Sequence, residues 1–173
     1  MYRPFTHAIV LLLLVNCHVS RAQTDTLASM PNDTNKVNAY YTRCFTELNA
    51  GQFDQAFKDA RFVLELSKKL NWTKGMAKAF NGFGVICNNT GRYPEALKYH
   101  QVALLIRKQL NDQQGIANTY NNIGLLYDNR GDYGEALKNH LASYRIRVQM
   151  KDSAGLAITT NNIGVVQLNL GNY

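Results

Sequence analysis

The sequence predicts an all-α solenoid of antiparallel helix pairs, about three and a half repeats long. Three observations carry that expectation. First, a segment recurs at a fixed interval: Gly91-Arg92-Tyr93-Pro94-Glu95-Ala96-Leu97-Lys98 returns as Gly131-Asp132-Tyr133-Gly134-Glu135-Ala136-Leu137-Lys138. An earlier copy opens Gly51-Gln52-Phe53, and a fourth opens Gly171-Asn172-Tyr173. Units that recur at such a period bury their apolar faces only by stacking on their neighbours. Second, apolar and small residues fall at helical spacing: Tyr120, Ile123, Gly124 and Tyr127 on a first helix, A, and Ala136, Leu137, His140, Ser143 and Tyr144 on a second, B. Third, helix-stopping glycines and helix-starting aspartates punctuate the text where those stripes end.

Residues 1–22 stand apart from the repeats. Arg3 supplies a positive start, Ala8 to Val15 is an apolar run, and Ser20-Arg21-Ala22 ends on a small residue. This is the layout of a secretory signal peptide, and the run is too short to span a bilayer. Cys17 is a weak match to a lipoprotein box, because Asn16 stands where a small residue belongs. The expectation is an exported protein, periplasmic or extracytoplasmic, from a bacterium. Residues 23–36 are polar, contain Pro31 and lack periodicity, which predicts a flexible lead-in.

Residues 37–173 form the repeat domain. In its best-formed unit, helix A is expected from Gln114 to Arg130 and helix B from Gly134 to Met150. Asp112 and Asp152 stand at N-cap positions, where a carboxylate accepts the orphan amides of the first turn. Gly91 and Gly131 stand where A helices stop, and Pro94 falls in the first turn of its B helix. Gly124 sits mid-helix at a cost of about 1 kcal/mol. Its recurrence as Gly84 and Gly164 predicts close approach of the partner helix, most simply near Ala136. Gly75, Gly115 and Gly155 are expected to admit the end of the preceding B helix.

The formal charge is +7; without Arg3 and Arg21, and with no acid in the first 22 residues, it becomes +5. The repeat spreads the basic residues, with Lys58, Lys98 and Lys138 at one position and Arg107 and Arg147 at another. Both sets are expected on a solvated outer face. Export and this dispersal argue against nucleic acid as a partner. Cys44 and Cys87 are expected to be buried free thiols. No other apolar stretch is long enough to cross a membrane.

No catalytic, cofactor or metal site is expected. His100 and His140 share a repeat position, but neighbouring repeats hold them ~10 Å apart, too far for one zinc ion. Gly82-Phe83-Gly84 follows no strand and lacks a third glycine. P-loop, zincin and serine-elbow motifs are absent, and the acids are scattered singly. The triplets at Asn32, Asn71 and Asn88 match a glycosylation pattern that chance explains in so asparagine-rich a chain.

Gly124, Tyr127, Gly131, Tyr133 and Ala136 in one copy, and Gly84, Gly91, Tyr93 and Ala96 in another, resemble the tetratricopeptide repeat. Gln114-Gly115-Ile116-Ala117 with Asn121-Asn122-Ile123-Gly124 is similar to the longer variant of kinesin light chains and of bacterial sensor and regulator proteins. The resemblance implies a right-handed superhelix whose A helices line a concave groove. It is specific for fold and unspecific for function. The first copy departs from it, with Arg43 and Glu47 at apolar positions, which suggests a capping repeat with a polar outer face.

An asparagine ladder runs along the A helices: Asn81, Asn121 and Asn161 at one position, Asn122 and Asn162 at the next, and Asn89, Asn129 and Asn169 at a third. An amide both donates and accepts, so such a ladder suits the backbone of an extended peptide. Equally, it could bond one A helix to the next. Val85, Leu125 and Val165 would add an apolar strip. Lys78 is the one cation at a position where a carboxylate-gripping form of the repeat would carry several, so that form is disfavoured.

The reading is a non-catalytic scaffold for a protein or extended peptide. Two rivals stand beside it: the extracytoplasmic sensor region of a membrane-bound histidine kinase, and a purely structural assembly piece. Tyr173 falls where the next B helix should start. The last A helix, Ala154 to Leu170, is therefore expected to lack its mate, with Ile158, Ile163, Val166 and Leu170 partly bare. That implies a fragment, or association of a partner through this helix.

Overall fold

The computed structural model describes residues 26–171. Residues 1–22, read as a signal peptide, lie outside them. After a helical turn at 26–29 come α1 (Thr34–Asn49), α2 (Phe53–Lys69), α3 (Thr73–Asn89), α4 (Tyr93–Gln109), α5 (Gln113–Asn129), α6 (Tyr133–Met150) and α7 (Ser153–Asn169). No strand occurs among the described residues. Each helix packs antiparallel on the next, giving the hairpins α1–α2, α3–α4 and α5–α6, with α7 as the A helix of a fourth unit. The chain is an α-solenoid of stacked helix hairpins, as the period required.

The A helices α1, α3, α5 and α7 touch one another in succession, whereas the B helices α2, α4 and α6 share no contact. A stack closer along one side than the other is curved, so the A layer is the inner face. This gives the concave side a structural basis independent of any resemblance.

Both turn types obey local backbone rules. A-to-B turns close on Gly51, Gly91 and Gly131 at φ of 73°, 73° and 80°. The following amide then reaches back to a carbonyl of the last helical turn, as from Arg92 to Cys87 at 2.8 Å and from Asp132 to Tyr127 at 2.9 Å. B-to-A turns use Asn71, Asn111 and Lys151 at φ of 49°, 52° and 56°. Asparagine tolerates this left-handed region; lysine does so at a cost. Asp112 and Asp152 cap their helices as expected, accepting from the amides of Gly115 (3.1 Å) and Gly155 (2.9 Å). The helices of the best-formed unit match their expected bounds to within one residue.

Several expectations are corrected. The lead-in 23–36 is tied down over its described part. The Lys36 ammonium is buried and donates to Ala28 O (2.9 Å), Met30 O (3.0 Å) and Asn32 Oδ1 (3.1 Å), while Asp33 caps α1. One lysine with three oxygen partners organises a stretch whose composition gave no periodic signal. Arg43 does not present a polar outer face; it is buried and joins α1 to α2 by a bidentate pair with Asp59. Glu47 lies half-buried beside it, its carboxyl pushed up to about 7 by burial and the neighbouring Asp59 charge. Val166 is fully buried beneath α7, so that helix is barer on one side than along its whole length.

The mid-helix glycines meet histidine rather than Ala136. A Cβ on Gly84 would come within 2.5 Å of the His100 ring, and one on Gly124 within 2.6 Å of His140. The imidazole therefore occupies the space the missing side chain leaves. The first hairpin reverses the sizes, with Cys44 at the glycine position and Ala60 at the histidine position, both fully buried. Cys44 and Cys87 are free and buried, and burial pushes the Cys44 thiol up to about 12. Gly75, Gly115 and Gly155 admit the ends of the preceding B helices as expected: an added Cβ would strike Ser67, Arg107 and Arg147 respectively.

Candidate functional site

The concave layer is built from one face of each A helix, and bonds spanning about one repeat hold that layer together. Asn122 Nδ2 donates to Asn81 Oδ1 at 2.9 Å, and Asn162 Nδ2 to Asn121 Oδ1 at 3.0 Å. Gly82 stands at the position of Asn122 and cannot donate. There Asn81 itself donates to the Tyr41 hydroxyl at 3.2 Å. A second row links Asn129 to Asn88 at 3.2 Å.

The ladder therefore serves first as a brace between helices. Asn81 and Asn121 are buried, and their amide oxygens already accept from the next repeat. Asn121 Oδ1 also lies 3.2 Å from His140 Nδ1. Asn122 and Asn162 are half-buried donors in that brace, and Asn161, at the end of the row, is exposed. Val85 and Leu125 are half-buried and Val165 exposed, giving a discontinuous apolar strip one turn further on.

The polar surface near the second repeat is cationic. Lys78 donates to Asn38 Oδ1 at 2.6 Å and lies over the rings of Tyr41 (5.3 Å) and Trp72 (5.8 Å). Desolvation, then the charges of Lys74 and Arg107, lower the affinity of its ammonium for the proton. Such a lysine gains when an anion arrives.

Arg107 and Arg147 do not lie on a solvated outer face. Both are only 5% exposed, and both point from the last turn of a B helix into the A layer. Arg147 donates to Asp152 Oδ2 and to Asn118 Oδ1, each at 2.7 Å. Arg107 donates to Gly115 O (2.9 Å) and Thr119 Oγ1 (2.5 Å) and stands against the Tyr41 hydroxyl. Arg43 and Arg147 each hold a carboxylate, whereas Arg107 has only uncharged oxygens within hydrogen-bond reach. The signal for these arginines was present in the text. Ser67, Arg107 and Arg147 each precede a recurring glycine by eight residues, and that glycine opens the space they enter. Lys58, Lys98 and Lys138 do lie exposed on the outer helices.

The geometry is thus a curved stack with a braced, amide-rich and locally basic inner face. Residues 75–149 match the family model described as tetratricopeptide repeat. Over those residues the chain is similar to tetratricopeptide repeats. Repeats of this family form protein-interaction scaffolds. The solved structure of BtubC (BKLC) from P. vanneervenii is similar, with a TM-score of 0.67 and 23% identity, covering 81% of this chain and 59% of its own. The apo form of RapI is similar with a TM-score of 0.69 and 19% identity, covering 88% of this chain and 43% of its own. At these identities the likeness is one of fold, and the chain spans less than two thirds of either protein. No curated protein matches it. Among the described residues, no helix is long and apolar enough to cross a membrane.

Proposed function

We propose that this chain is a non-catalytic scaffold whose concave face captures an extended, acidic segment of a partner protein. The observation that carries the reading is the paired cationic centre of the second repeat. Lys78 is half-buried with its proton affinity lowered by desolvation and then by the charges of Lys74 and Arg107, and Arg107 is buried with only uncharged oxygens within hydrogen-bond reach. A carboxylate seated there would relieve both. Asn118, Asn122 and Asn162, partly accessible on the same layer, would meet the peptide backbone. We further propose, from the first 22 residues, that the scaffold works outside the cytoplasm.

A library of random displayed peptides tests the groove. Peptides captured by the chain should be enriched in Asp and Glu, and Lys78→Glu should abolish that enrichment while the fold persists by circular dichroism. Capture with no acidic bias, or an unchanged peptide set on the Lys78→Glu variant, would overturn the assignment.

A further inference from the structure

A cavity of about 610 Å³ sits where the first half of α2 meets the end of α3 and the turn into α4. Its lining shares no residue with the inner-face row of Lys78, Asn81 and Asn122. Its walls combine apolar surface with unpaired cations. Phe53, Phe57 and Ile86 supply the apolar part. Ile86 is buried, whereas Phe53 is 37% exposed, so a large ring stands open to whatever enters. Lys58, Arg61 and Arg92 bring three positive charges against the single carboxylate of Asp54. Among the described residues, none of the three cations is in a salt bridge. Arg61 lies over the Phe57 ring at 5.6 Å, and Arg92 Nε donates to Thr90 Oγ1 at 3.1 Å.

The next junction along the stack separates what the fold needs from what it does not. There Tyr93, Leu97 and Leu126 stand at the positions of Phe53, Phe57 and Ile86, and Lys98 at that of Lys58. Stacking therefore keeps the apolar wall and the lysine. Arg61 and Arg92, by contrast, become Gln101 and Asp132, and Asp132 pairs with Arg130 at 2.9 Å. The two unpaired guanidinium groups belong to the first junction alone of these two, beyond what the packing of hairpins requires.

We propose that this cavity is a binding site for a small organic anion, an oxyanion head such as a carboxylate joined to a ring-sized apolar body. The body would lie against Phe53 and Phe57, and the head would take the cationic rim of Arg61 and Arg92, since guanidinium groups bond oxyanions strongly and in pairs. Thr90 holds the Arg92 guanidinium in place by accepting from it. The volume falls within the range of pockets that hold small molecules. An extended segment is served by the long inner face; a confined cavity with its charges gathered at one place suits a compact ligand. The site does not depend on what the concave groove binds.

Fluorescence titration of the 173-residue chain with anilinonaphthalene sulfonate, an aryl anion, tests the site. The dye should bind saturably at one site, and phenylbutyrate should displace it. Phenylnaphthylamine, the uncharged analogue of the dye, should bind about tenfold more weakly, the scale of one charge-assisted contact. Arg61→Gln with Arg92→Asp gives this junction residues with which the next one already folds. That double variant should keep the melting temperature and weaken the dye by about tenfold or more. Absence of saturable binding, an unchanged affinity in the double variant, or equal affinity for the uncharged analogue would each overturn the proposal. So would displacement of the dye by an acidic peptide and not by phenylbutyrate, since the occupant would then be a partner protein.

Discussion

Arg43 and Asp59 close the first hairpin with two 2.6 Å bonds, the Nε and Nη2 of the guanidinium each donating to one carboxylate oxygen. Both side chains are almost wholly removed from solvent. Breaking such a pair from one side leaves an uncompensated buried charge, so Asp59→Ala should cost about 3–5 kcal/mol. Replacing both partners, as in Arg43→Met with Asp59→Leu, should be far milder. Urea denaturation of the single and double variants measures the difference; equal losses would mean that the pair is not coupled.

Two equivalent glycines, Gly124 and Gly164, should respond in opposite ways to the same change. Gly124→Ala forces a methyl against the His140 ring and should destabilise the chain by about 1–3 kcal/mol, the usual scale of overpacking. Gly164→Ala meets no neighbour, gains helix propensity and should stabilise by up to about 1 kcal/mol. Thermal melts of the two variants should therefore shift in opposite directions.

Lys151 holds a left-handed backbone, at φ 56°, where the two earlier repeats place Asn71 and Asn111. Its side chain is exposed. Lys151→Gly should relieve the strain and stabilise the chain by about 1 kcal/mol, offset in part by the greater freedom of the unfolded glycine. A midpoint in urea that fails to rise would refute this.

Acid should weaken the stack through His100. Burial, then the charge of Arg107, lowers its proton affinity to a pKa of about 4, against an ordinary 6.5. Between those values the unfolded chain binds a proton that the folded chain refuses. Stability from this group is therefore complete above pH 6.5 and is lost as pH falls towards 4, by about 3 kcal/mol in all. His140 is shifted in the same direction by burial. Glu47 acts oppositely: its raised pKa favours the folded state as acid protonates it. Comparing the chain with His100→Gln across pH 4 to 7 cancels the Glu47 contribution. The two stabilities should converge towards acid pH, and parallel profiles would refute the assignment.

The repeat period, the helix bounds, the aspartate caps and the positive-φ glycines were legible because each follows from backbone rules acting within a few residues. What the text concealed was partnership across the stack. Arg107 and Arg147 recur like solvated charges, yet their heads turn inward because Gly115 and Gly155 leave the room. Arg43 looked like a cap residue because its mate, Asp59, lies sixteen residues away on another helix. The asparagine ladder was open to two readings. Its bracing role emerged only once Asn122 and Asn162 were seen to bond to the preceding A helix. Periodicity identifies equivalent positions; it does not say which neighbour each one faces.

Because each outer helix packs on the inner helices both before and after it, whereas the inner helices also touch one another, the arc is a continuous two-layer wall. Its amide links lie along the shorter, inner edge. Any segment laid in the hollow therefore runs across several repeats at once, and its contacts are shared among them.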